Sequence, residues 1–174
     1  MIDKHITVAG YSLGGITAIK AAQMDPDRIK AAIALDPWWM PFHNEIVADE
    51  IAMSQPLAVI SSSRFQKDHV LYHSWELTQK LCSAAARNCA TSQHNINAIL
   101  NSTSHLAQTD MHLLLPNEYR YIRKDHVAKD PYLMHDLSND LMKDFMVKVG
   151  VLESAKFSSK LKGNENFVLH DIAK

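Results

Sequence analysis

The sequence predicts an α/β fold, a parallel sheet with helices on both of its faces. Three observations carry that prediction. Two short, continuous apolar runs, 31–35 and 57–61, have the pattern of strands buried on both sides. Stretches with helical spacing alternate with them, one running to Met24 and one over 69–87. Finally, Gly-Tyr-Ser-Leu-Gly-Gly at 10–15 follows directly on the apolar run 5–9 and opens a small-residue segment, as a strand-to-helix turn requires. The chain has 174 residues and is 47% hydrophobic, enough for one domain with a sizeable core.

Each element has a local reason. The first strand is expected over 5–9. The helix after the turn is stopped by Asp25-Pro26. The strand 31–35 ends at Asp36-Pro37-Trp38-Trp39-Met40-Pro41, where the prolines exclude regular structure. A polar helical segment is expected near 44–53, and Gln55-Pro56 introduces the strand 57–61. Asp68 is a candidate cap for the helix 69–87, whose Val70, Leu77, Leu81, Ala84 and Ala85 recur at helical spacing. Asn97–Leu100 reads as a short strand leading into Asn101-Ser102-Thr103-Ser104-His105. Ser138 is expected to cap the last helix, with Leu141, Met142, Phe145, Met146 and Val149 inward, Leu137 stapled to Met142, and Gly150 closing it. Residues 1–155 form the folded part. The segment 156–174 is a polar tail in which only Phe167-Val168-Leu169 is apolar enough to dock.

Composition excludes some functions. A net charge of −1 leaves no basic footprint for nucleic acid. Ten histidines include no H-E-x-x-H or comparable ligand spacing, so no metal or cofactor is expected. Cys82 and Cys89 lack the close spacing of a zinc knuckle or redox pair, which leaves a disulfide or two thiols. The compartment stays open.

The turn at 10–15 is where chemistry is expected. A serine hydroxyl is a poor nucleophile at neutral pH. A sharp strand-to-helix turn holds it clear of the sheet, beside a base and backbone N–H donors. Gly10 and Gly14 are expected to allow the tight turn and close helix–strand packing. Ser12 is therefore the candidate nucleophile, and the N–H of Leu13 the candidate oxyanion donor. The serine needs a histidine, and the histidine an acid, both later in the chain. Asp36 stands directly after the strand 31–35. Asp68, seven residues past the strand 57–61, is its rival. His105 follows the strand 97–100 and competes with His94, His112 and His126. Trp38, Trp39 and Phe42 form an aromatic patch beside Asp36, either a lid on the core or a wall of the substrate pocket. Tyr119–Lys124, with three basic residues, is either a solvated segment or a lipid contact.

With those residues in view, the chain resembles the platelet-activating factor acetylhydrolase family, including its plasma, lipoprotein-associated type. The likeness covers about residues 5–152: the turn at 10–15, Ile33-Ala34-Leu35-Asp36-Pro37-Trp38, Gln55-Pro56-Leu57, Phe65-Gln66, Ser104-His105 with Asp110, and Asp136-Leu137-Ser138-Asn139. Tyr11 and Leu13 stand where the family often has His and Phe. The resemblance implies a partial α/β-hydrolase fold, its C-terminal half, with the early strands and a second oxyanion donor upstream. It implies Asp36 as the acid. It also implies calcium-independent hydrolysis of an sn-2 acetyl, short or oxidised acyl ester of a phospholipid, by Ser12, His105 and Asp36, with possible peripheral contact to a membrane or lipoprotein. Two alternatives remain at this stage: another esterase or peptidase on the same fold, or a catalytically weak fragment acting as an interaction protein through a bare strand edge.

Overall fold

The computed structural model describes residues 6–51, 53–67, 74–114, 130–155 and 167–169. Strands β1 (Ile6–Tyr11), β2 (Ile29–Leu35), β3 (Leu57–Ser62) and β4 (Ile96–Leu100) lie side by side in chain order and run parallel. Strand β5 (Phe167–Leu169) adds antiparallel to β4. The arrangement is that of a partial α/β-hydrolase fold.

The pleat of a strand sends successive side chains to opposite faces, and here both faces are covered. Ala32, Ala34, Leu57 and Val59 meet Ile16, Ile19 and Ala22 of helix α1 (Leu13–Met24). Leu77, Leu81 and Ala85, which belong with Cys82 to helix α4 (Ser74–Asn88), complete that cluster. The alternate residues Ala31, Ile33, Ala58 and Ile60 meet Met134, Leu137, Leu141 and Phe145 of helix α6 (Pro131–Lys148). This is why β2 and β3 read as unbroken apolar runs. Burial of Leu137, Leu141 and Phe145 stabilises by roughly 1.5–3 kcal/mol apiece.

Three short helices complete the described chain: α2 (His43–Val47), α3 (Ser63–Lys67) and α5 (Met111–Leu114). Helix α2 ends well before residue 53. Asp49 takes the left-handed conformation at φ 59°, and the Glu50 N–H reaches back to the Glu45 carbonyl at 2.8 Å, closing the helix as a Schellman motif. Gly150, at φ 76°, closes α6 in the same way, with the Val151 N–H on the Met146 carbonyl.

The start of α6 differs from the expected cap. Asp130 accepts the Leu133 N–H on its side chain at 3.0 Å, and Pro131 supplies a pre-set first helical residue. Ser138 lies in the helix interior, where its hydroxyl donates to Gln108 Oε1 at 3.0 Å. Asp68, Val70 and the start of the expected helix 69–87 fall outside the described residues, as do Tyr119–Lys124 and His126. Cys82 and Cys89 are both buried free thiols, and burial pushes the Cys82 thiol up to about 12.

Candidate active site

The register of two strands sets the site. Tyr11 of β1 pairs with Leu35 of β2, so the next residues, Ser12 and Asp36, emerge together at the carboxyl end of the sheet. The Ser12 N–H donates to the Leu35 carbonyl at 2.9 Å, and the Asp36 N–H donates to the Ile60 carbonyl of β3 at 3.0 Å. Both residues have positive φ, 57° at Ser12 and 41° at Asp36. Such a conformation costs on the order of 1–3 kcal/mol per non-glycine residue and persists only where the surroundings impose it. At Ser12 the imposing contacts are visible. Its carbonyl accepts the N–H groups of Gly15 and Trp38, each at 3.0 Å, which ties the serine turn to the loop carrying Asp36.

The glycines of the turn are not equivalent. A Cβ at Gly10 would lie 2.0 Å from the Gly14 carbonyl oxygen, so helix α1 passes the strand there at backbone distance. A Cβ at Gly15 would meet Pro37 at 3.1 Å. A Cβ at Gly14 would meet nothing within 4 Å, so the close packing expected of Gly14 belongs to Gly10 and Gly15.

His105 opens a short 3-10 turn beyond β4. Its Nε2 lies 3.0 Å from Ser12 Oγ, and its Nδ1 lies 3.4 Å from Asp36 Oδ2. The second distance is longer than a well-formed N–H···O bond, so this contact is the loose one of the series. Asp36 is fully buried. Its Oδ1 accepts the Ser62 N–H at 2.6 Å and its Oδ2 accepts the Ser62 hydroxyl at 2.7 Å. The imidazole stacks against the rings of Phe65 and Tyr11, centroids 4.2 Å and 4.6 Å away, and the Tyr11 hydroxyl donates to the His105 carbonyl at 3.0 Å. Burial, and then the Asp36 carboxylate, push the Tyr11 phenol well above its ordinary range.

The structure thus brings together Ser12, Asp36 and His105. Leu13 begins helix α1, where a backbone N–H has no intrahelical acceptor. His94 ends the 3-10 turn before β4, at the opposite end of the sheet, and His112 lies on α5. The aromatic patch divides. Trp39 is fully buried in the core, its indole N–H donating to Thr78 Oγ1 at 2.9 Å, so it is not a wall of an open pocket. Phe42 packs against the same core beneath Lys20 Nζ, which lies 5.9 Å from its ring centroid. Trp38 is half-buried, its backbone bonded to Ser12. Ser62, Tyr11 and Phe65 were not singled out as site residues by the sequence. For Ser62 a signal existed: it follows the strand that must neighbour β2, and so lands beside Asp36.

A hydroxyl and an imidazole at this distance can pass a proton from the alcohol to the ring, whose other nitrogen faces the buried carboxylate at 3.4 Å without a formed hydrogen bond. Sequence comparisons place the chain in a family. Over 66 residues the chain is 41% identical to a platelet-activating factor acetylhydrolase of the dog, Canis lupus familiaris. That match covers 37% of this chain and 14% of the relative's length. Residues 1–166 match the family described as platelet-activating factor acetylhydrolase, isoform II, and the chain belongs to that family of esterases.

Proposed function

We propose that the chain is the catalytic part of a serine esterase that cleaves the sn-2 acetyl or short acyl ester of platelet-activating factor and related phospholipids. The observation that carries the reading is the contact of 3.0 Å between His105 Nε2 and Ser12 Oγ, with buried Asp36 behind the ring. Ser12 Oγ attacks the ester carbonyl carbon while His105 Nε2 takes the hydroxyl proton. The Leu13 N–H donates to the oxyanion that forms. The intermediate collapses with cleavage of the bond to the glycerol oxygen, which takes the proton from His105 and departs as the lysophospholipid alcohol. Water then attacks the acyl-serine, again losing its proton to His105, and releases the carboxylic acid and Ser12. Asp36 holds Nδ1–H throughout and stabilises the charged ring.

Family membership supports the phospholipid as substrate. Leu13, Met40, Met111 and Leu114 are exposed apolar residues on the segments that follow Ser12, Asp36 and His105 in the chain, which supports peripheral contact with a membrane or lipoprotein surface.

The test compares an acetyl-phospholipid with a soluble aryl acetate, with chelator present, for wild type and Ser12→Ala. Both hydrolyses are expected to survive chelation and to fall at least about 10³-fold in the variant. Unchanged rates in Ser12→Ala remove the serine mechanism. Aryl ester cleavage with the phospholipid untouched keeps the esterase and removes the lipid.

A further inference from the structure

We propose that Tyr11 is a positioning residue that clamps the histidine loop onto the serine turn and so sets the Ser12–His105 distance. The inference rests on the serine mechanism above and adds a residue to it.

The need for a clamp follows from the sheet. Ser12 leaves β1 and His105 comes from β4, with β2 and β3 between them. Three strand spacings of about 4.8 Å separate the two strand ends by roughly 14 Å. The loop 101–105 must therefore lean back across two strands to bring Nε2 within 3.0 Å of the serine oxygen. Two ties of the loop and of the 3-10 turn after it reach the middle of the sheet. The Thr103 carbonyl accepts the Arg64 N–H at 3.1 Å, and Gln108 Nε2, at the end of the turn, donates to the Ile60 carbonyl at 3.5 Å.

Tyr11 reaches from the serine's own strand. It is the last residue of β1, directly before Ser12. Its hydroxyl donates to the backbone carbonyl of His105, which fixes where the loop sits. Its ring lies 4.6 Å from the imidazole with 25° between the planes, which fixes how the ring is turned. Phe65 of α3 adds a second stacked ring at 4.2 Å and 13°. One side chain thus references both the position and the plane of the base to the residue next to the nucleophile. The raised phenol keeps its proton, and hence its donor, through neutral and mildly alkaline pH.

Tyr11→Phe and Tyr11→Leu separate the two contacts, because phenylalanine keeps the stack and loses the hydroxyl whereas leucine loses both. With a soluble aryl acetate, kcat of Tyr11→Phe is expected to fall about fivefold, the equivalent of one hydrogen bond of ordinary net strength. Tyr11→Leu is expected to lose roughly a further fivefold with the stack. KM should stay within twofold in both, because Tyr11 is assigned no contact with substrate. Recovery of the stacking share by phenylalanine is the signature that mere loss of stability would not give, and circular dichroism reports the fold of each variant. If leucine does not fold, phenylalanine decides. Wild-type kcat in the folded variants, or a loss confined to KM, overturns the proposal. Ser12→Ala is run alongside: its inactivity with both Tyr11 variants at wild-type kcat overturns this inference alone, and its full activity overturns the serine mechanism together with it.

Discussion

The turn motif treats its two glycines alike, yet the geometry predicts opposite outcomes for Gly10→Ala and Gly14→Ala. At Gly10 the added Cβ stands 2.0 Å from the Gly14 carbonyl oxygen, and ordinary contact begins at 3.4 Å, so the start of α1 must retreat by 3.4 − 2.0 = 1.4 Å. The obstacle is backbone, so no rotamer change relieves it. Overpacking of this kind costs about 3 kcal/mol, which for a domain of this length lowers the melting midpoint by roughly 6–12 °C. At Gly14 the Cβ meets nothing, and replacing a helical glycine by alanine stabilises by up to about 1 kcal/mol. That raises the midpoint by roughly 2–4 °C. Gly15→Ala should fall between them, its Cβ 3.1 Å from Pro37 Cβ and 3.2 Å from the Gly10 carbonyl. Thermal and urea unfolding of the three variants measure the order directly. Gly14→Ala less stable than Gly10→Ala would refute the packing argument.

Other consequences are as direct. Asp36→Asn keeps a group that can bond the Ser62 N–H and hydroxyl but loses the charge facing His105, so kcat should fall about 10³–10⁴-fold with the fold intact by circular dichroism; a loss under tenfold would argue that Asp36 is not the acid. Trp39→Phe removes a buried bond to Thr78 and leaves a cavity in the core, so urea unfolding should show a loss of about 1–3 kcal/mol. KM should not move, and a raised KM at unchanged stability would return Trp39 to the pocket. For α6, Asp130→Ala should destabilise by about 1 kcal/mol by urea unfolding because it removes the cap on the Leu133 N–H; an unchanged stability would count against the assignment.

What was legible in the sequence follows from the range of the forces involved. The strands 31–35 and 57–61 announce themselves because both faces of a parallel sheet are apolar. Helix α1 ends where Asp25-Pro26 says it must, since proline cannot continue a helix. The candidates Ser12, Asp36 and His105 were legible because two stand directly after strand ends and the third a short loop beyond one, and parallel strands deliver their carboxyl ends to one edge. Contacts decided by side-chain direction were not. Trp38 and Trp39 are neighbours of the same type, yet one is half-buried and the other wholly inside, and nothing local distinguishes them. The left-handed turn at Asp49 hid the end of α2, for a glycine would have marked it and an aspartate does not. The start of α6 was readable: Asp130-Pro131 is itself a cap followed by a proline, and the cap expected at Ser138 falls eight residues too late.

The two possible sources of an acid also bear on how the site is built. A carboxylate could follow β2 or β3, and the proposed acid follows β2, at a residue with φ 41° that is entirely removed from water. A buried carboxylate without donors is severely unfavourable. The residue at the end of β3, where the alternative acid would begin, is Ser62, and it gives both its N–H and its hydroxyl to Asp36. The two strand ends therefore divide one task. β2 supplies the carboxylate and β3 supplies the donors that satisfy it where it is buried. Ser62 already occupies the Oδ2 that faces His105: that oxygen accepts the hydroxyl at 2.7 Å, and the imidazole Nδ1 stands 3.4 Å away without a formed hydrogen bond. On the proposed mechanism a ring that becomes cationic would draw that oxygen closer, so the long contact is the one with room to tighten when charge develops.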